Sequence, residues 1–162
     1  MSIRSVNPEF DAEAITAIYN SYVKDTTISF DIDILDASTM KKRIMKIADA
    51  CPYYVCEEDG EVVGFCYAHP WKERAAYDKT LETTIYLSPK AKYRGIGRQL
   101  MERLIDECRR RGYVTLIACI TAENVESCEF HEKLGFEKVS HFRKVGYKFG
   151  RFLDVVDYQL ML

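Results

Sequence analysis

The sequence predicts a mixed α/β (α+β) domain built on a central sheet, and three observations carry that prediction. Strand-like and helix-like periodicities follow one another in the order β-α-α-β-β-β-α-β-α-β-β. Three strands run in succession before a long helix, which does not fit two dinucleotide-binding halves. No repeat, linker or low-complexity segment divides the 162 residues, a length that suits one domain with a substantial core.

Ile3 to Val6 form a first strand, closed by Pro8. Asp11 can cap a helix whose apolar positions Ile15, Ile18, Tyr19 and Tyr22 follow helical spacing. Lys24-Asp25-Thr26-Thr27 ends it, and an extended segment runs to Ile34. Ser38 is a suitable N-cap for a second helix, with Met40, Ile44, Ile47 and Ala48 on one side and Lys41, Lys42, Arg43 and Lys46 largely on the other. Tyr53 to Glu57 and Val62 to Ala68 flank Glu58-Asp59-Gly60, an Asp-Gly hairpin signal. Pro70-Trp71 ends that pair, and a polar connection leads to a strand over Thr83 to Leu87.

Ser88-Pro89 stops this strand, and a basic turn from Lys90 to Gly97 opens a long amphipathic helix that runs to Arg111. Gly112 suits the C′ position of that helix. Val114 to Ile120 makes a buried strand, and Thr121 to Asn124 turns into a short helix, Val125 to Leu134, ended by Gly135. Phe136 to Phe142 and Leu153 to Leu160 are the last strands, separated by a loop over residues 146–150.

A balance of 48% hydrophobic and 30% charged residues is that of a globular chain, which argues against disorder. The net charge of −2 counts against nucleic acid as the main partner, although Lys90 to Arg94 and Arg109 to Arg111 are basic clusters. No apolar run approaches the roughly 20 residues that cross a bilayer, so no membrane partner is expected. The six cysteines form no C-x-x-C, and no signal peptide is recognisable. They are expected to be reduced thiols of a cytoplasmic protein, and no metal is implied.

The turn at Lys92-Tyr93-Arg94-Gly95-Ile96-Gly97 carries chemistry. It lacks the G-x-x-x-x-G-K-[ST] spacing of a phosphoryl-transfer loop and the third glycine of G-x-G-x-x-G. It matches [QR]-x-x-G-x-[GA] with Lys92 in the first slot. It is either a plain glycine entry to a helix or an anion cradle, where backbone amides and the helix dipole meet a phosphate. Three or four charge-assisted hydrogen bonds, at about 1.5–3 kcal/mol each, would outweigh the dipole at about 0.3–1 kcal/mol.

Around this turn, the chain resembles the GCN5-related N-acetyltransferases, and among them the phosphinothricin acetyltransferase branch. The segments that carry the resemblance lie in matching order: Asn20 to Phe30, Glu61 to Ala68, Arg74 to Tyr77, Glu82 to Pro89, Ala122 to Asn124, His131 to Phe136 and Val145 to Asp154. The resemblance implies a GNAT-type fold over 1–162, a single N-acetyltransferase domain. Its mostly antiparallel sheet would splay between strands 4 and 5 through a β-bulge. It also implies acetyl-CoA as donor, a small amine as acceptor, and a homodimer.

Residue roles carry over as implications. Ile85, Tyr86 and Leu87 would pair with the pantetheine, the amides of Tyr93, Arg94, Gly95, Ile96, Gly97 and Arg98 would hold the pyrophosphate, and Asn124 and Lys133 would also contact the cofactor. Asn124 is equally a plain helix cap. An amine of pKa near 9 costs about 2.7 kcal/mol to deprotonate at pH 7. Glu82 is the candidate base, its plainer reading a solvated edge glutamate. His131 is the second catalytic candidate, as acid or base, its plainer reading a helix-surface histidine. Phe30, Trp71, Arg74 and Tyr77 would line the acceptor pocket, with Arg74 able to hold a carboxylate or phosphinate. Phe30 and Trp71 are alternatively core. Thr83, Thr84, Ser88 and Asp78 depart from the branch's usual residues and put the acceptor in question. The expected acceptors are amino acids or analogues of the phosphinothricin, methionine sulfoximine or methionine sulfone type. Protein N-termini, lysines, polyamines, or a non-catalytic acyl-CoA-binding role are the alternatives.

Overall fold

A computed structural model describes residues 1–162. In chain order the elements are β1 (Ser2–Ser5), α1 (Pro8–Asp25), α2 (Ala37–Ala50), β2 (Tyr53–Glu58), β3 (Glu61–Pro70), β4 (Thr80–Leu87), α3 (Ile96–Arg110), β5 (Thr115–Thr121), α4 (Val125–Lys133), β6 (Glu137–Lys148) and β7 (Arg151–Met161). The strands form one sheet in the order β1-β2-β3-β4-β5-β7-β6. All neighbours are antiparallel except β4 and β5.

Alternation along the strands divides the core in two. Leu100, Met101 and Leu104 of α3 pack with Cys66, Leu81, Leu116 and Ala118. Ile15 and Val23 of α1 and Ile44 of α2 pack with Tyr53, Val55 and Phe65. Cys51, Cys56, Cys66 and Cys108 are buried as free thiols.

Both predicted N-caps are displaced. Asn7 caps α1, accepting from the Glu9 amide at 3.0 Å, with Pro8 in the first turn, where a missing N–H is tolerated. Asp11 is unavailable because Arg4 holds its two oxygens, each at 2.8 Å, and the Asn7 amide donates to it at 2.7 Å. Asp36 rather than Ser38 caps α2, accepting from the Thr39 amide at 2.7 Å. Asp59 and Gly60 both adopt positive φ, as a two-residue hairpin turn requires. Phe149 and Gly150 do the same, so the loop expected over 146–150 is a two-residue turn and both flanking strands are longer than predicted.

β4 and β5 pair only at Thr80–Thr115, Leu81–Leu116 and Glu82–Ile117, then diverge. The β3–β4 register is unbroken from Pro70–Leu81 to Gly64–Leu87, so the divergence occurs without the expected bulge. Tyr22 Oη donates to the Leu87 carbonyl at 2.5 Å and ties the free end of β4 to α1.

Candidate active site

Two cavities open from the wedge between β4 and β5, of about 510 Å³ and about 380 Å³. They adjoin, because Ile28, Ile85, Tyr86, Asn124 and Ser127 line both.

The larger cavity reaches the entrance of α3. There Tyr93 and Gly95 have φ of 60° and 78°, and the amides from Lys92 to Arg98 donate to no group of the chain. Those of Ile96, Gly97 and Arg98 belong to the first helical turn, which has no internal acceptors for them. A run of free N–H groups at the positive end of a helix fits an anion such as a pyrophosphate. Tyr93, Gly95, Gly97, Arg98 and Lys133 line this cavity, as do Leu87 and Lys92. Arg94 does not, since its guanidinium pairs with both Glu58 oxygens at 2.7 Å. Ile96 is buried in the core, so for these two only the backbone is available. A Cβ on Gly97 would lie 3.2 Å from Leu87 and 3.5 Å from Phe130, which reflects how closely the α3 entrance packs.

The smaller cavity brings together Glu82, His131 and Phe30. Glu82 sits half-buried at the mouth of the wedge, with His69 Nε2 3.8 Å from its Oε1. Burial pushes its pKa up, His69 partly offsets this, and Asp157 adds to the rise. His131 is buried rather than on the helix surface. Its Nδ1 lies 2.8 Å from the Ser127 carbonyl, which can only accept, so Nδ1 carries the proton. Burial draws the pKa of the ring down, against the Ser127 bond, so at neutral pH Nε2 is unprotonated. Nε2 has no protein partner, yet it is not a sealed orphan; Ser88 Oγ is the buried side-chain polar atom left without one. Asn124 caps α4, accepting from the Ser127 amide at 3.2 Å, while lining both cavities.

Trp71, Arg74 and Tyr77 line neither cavity. They lie on the β3–β4 connection, where Trp71 and Tyr77 meet edge-on at 5.3 Å and Lys72 Nζ sits 4.2 Å from the Trp71 ring. Sequence reasoning missed Tyr19, Asp31 and Cys119, which also line the smaller cavity. Tyr19 Oη donates to Asp31 at 2.6 Å, and Arg43 pairs with the same carboxylate at 3.2 Å. Tyr19 lies on the apolar face of α1 and has the pattern of an ordinary core residue, so no local signal marked it.

Residues 3–156 match the family model described as an acetyltransferase (GNAT) domain. The chain belongs to the GNAT acetyltransferase family. Phosphinothricin N-acetyltransferase of Alcaligenes faecalis is 39% identical over 148 residues, 90% of this chain and 75% of that one. A GNAT-superfamily phosphinothricin acetyltransferase from Sinorhizobium meliloti, solved in complex with AcCoA, superposes with TM-score 0.94 at 32% identity, covering 99% of this chain and 88% of the other. The crystal structure of ribosomal-protein-alanine N-acetyltransferase from Brucella melitensis gives TM-score 0.96 at 33% identity, covering 100% of each chain. Acetyl-CoA is the co-substrate of GNAT enzymes, and the free amides of residues 92–98 suit its pyrophosphate.

Proposed function

We propose that this GNAT enzyme transfers the acetyl group of acetyl-CoA to the amino group of a small amino acid or analogue within a ternary complex. Phosphinothricin, methionine sulfoximine and methionine sulfone are the leading acceptors, and residues 1–162 act as one catalytic domain. The observation that carries this reading is the shared wall of the two cavities, with Glu82 and His131 lining the smaller one.

In this reading the larger cavity takes the donor. The amides of Tyr93 to Arg98 hold the pyrophosphate, and Lys92 and Lys133 add positive charge. The unpaired edge of β4 at Ile85 to Leu87 and Asn124 hold the pantetheine arm. Asp31 and Glu82 are the charged residues lining the smaller cavity, which favours an ammonium there. Glu82 takes its proton, directly or through water. His131, with Nδ1–H committed to Ser127, accepts a hydrogen bond or a proton at Nε2 rather than acting as the initial acid, and the CoA thiolate released when the C–S bond breaks takes its proton from solvent. Arg74, expected to hold the acceptor's carboxylate or phosphinate, lies on the β3–β4 connection outside this cavity and is not assigned to the acceptor. Following free thiol with acetyl-CoA and an amino-acid panel tests the activity. No release above hydrolysis with any amine overturns it.

The likeness to the Brucella protein favours a second reading, acetylation of a protein N-terminus. Competition between an alanine-terminated peptide and the free amino acids separates the two. The proposal also includes a cytoplasmic homodimer. Phe142, Tyr147, Phe149 and Phe152 are each at least half exposed on β6, β7 and the turn between them, and light scattering measures the mass.

A further inference from the structure

Lys148, at the end of β6, is buried at 3% exposure and has no part in the chemistry above. Its Nζ donates to the Val23 and Ser29 carbonyls, each at 2.7 Å. Val23 lies in the last turn of α1, where carbonyls lack internal partners and the helix dipole is negative. The lysine therefore caps α1 from across the sequence and pins the segment that follows it. Burial draws its pKa down, and Asp31 acts in the opposite sense.

Two residues earlier, Gly146 lies against Phe30 so closely that a Cβ there would overlap the ring. β6 reaches this position through an irregularity between Phe142 and Gly146. Lys144 adopts a φ of 54° there, and its amide donates to Asp154 Oδ1 at 2.9 Å. Ser29, Phe30 and Asp31, the segment held in this way, line the smaller cavity.

We propose that Lys148 and Gly146 are positioning residues for the acceptor, clamping residues 29–31 so that the β6–β7 hairpin sets which acceptors fit. The inference rests on reading the smaller cavity as the acceptor site. It is tested by steady-state kinetics with acetyl-CoA and two acceptors of different side-chain length, on Lys148→Met, Gly146→Ala and Phe30→Ala.

Lys148→Met keeps an apolar stem and removes two charge-assisted hydrogen bonds. Acceptor KM should rise about tenfold or more, while acetyl-CoA KM stays within about twofold. Gly146→Ala keeps the lysine, displaces Phe30, and should change the ratio of kcat/KM between the two acceptors. If Phe30→Ala alters acceptor KM but the other two variants do not, the clamp is overturned and the acceptor site stands. If none of the three alters it, the cavity is not the acceptor site and both readings fall. A parallel rise in both KM values marks general loss of structure and also overturns the clamp. Should Lys148→Met fail to fold, Gly146→Ala decides, and an unchanged ratio counts against the proposal.

Discussion

Glu82 and Ile117 form the last rung shared by β4 and β5. One residue further the strands part, so the Glu82 carboxylate stands where the sheet opens. The residue is half-buried by the strands that still pair, and it faces a cavity made by the strands that do not.

Glu82→Gln should lower kcat by about 10²–10⁴-fold, the usual contribution of a general base, with acetyl-CoA binding by calorimetry unchanged. Glu82 must be ionised to act, and burial holds its pKa above the ordinary carboxylate value despite His69. The rate should therefore fall as pH drops through that raised pKa, and the variant should lack this limb. The native state binds this proton more tightly than the unfolded chain does, so the stability linked to Glu82 declines as pH rises from the unfolded to the folded pKa. At neutral pH the glutamine variant should melt higher than the parent. Retained activity would remove Glu82 from the chemistry.

His131 has the opposite linkage. Its folded pKa is lowered by burial, so the unfolded chain takes up this proton first as pH falls. Stability should decline below the unfolded value of about 6.5. Thermal melts at pH 7.5 and 5.5 should show a smaller difference for His131→Gln than for the parent. The variant's kcat should fall by about 10²-fold.

Gly95→Ala has room for its methyl group but not the conformation, since Gly95 sits at φ 78°. A left-handed alanine costs about 1–2 kcal/mol and turns the neighbouring amides away. Acetyl-CoA KM should rise about tenfold with acceptor KM unchanged, as read from initial rates. Equal effects on both substrates would show that the turn does not serve the donor alone.

Arg4→Ala should destabilise without touching the site. Burial raises the Asp11 pKa, but Arg4 and the Asn7 amide outweigh it and hold it below the ordinary value. Without Arg4, Asp11 loses its ion-pair partner while only 2% exposed. Denaturant unfolding should show a loss of about 2–3 kcal/mol, less than for a fully buried pair because Arg4 is partly exposed. The linked stability is present above the unfolded carboxylate pKa and is lost as pH falls through the lowered one.

The order of elements was legible because each carries its own short-range pattern. The Asp59-Gly60 turn, the helical stripe of α3 and the Ser88-Pro89 stop are decided by residues close in the chain. The caps of α1 and α2 were not. Asn7 and Asp11 both suit a helix start, and the choice fell to Arg4, which claims Asp11 from a neighbouring strand. Lys148 looks like any charged residue near a strand end, and its two carbonyl partners are far away in sequence. Trp71, Arg74 and Tyr77 are close to Glu82 in the chain, yet the path of the β3–β4 connection places them outside both cavities.

By itself, then, the sequence determined the succession of strands and helices, the glycine turn and the family, all set by spacing along the covalent chain. Only the tertiary structure decided where β4 leaves β5, which nitrogen of His131 holds the proton, and that β6 supports Phe30 and caps α1. Those features depend on hydrogen bonds and close contacts between residues that only the folded sheet brings together.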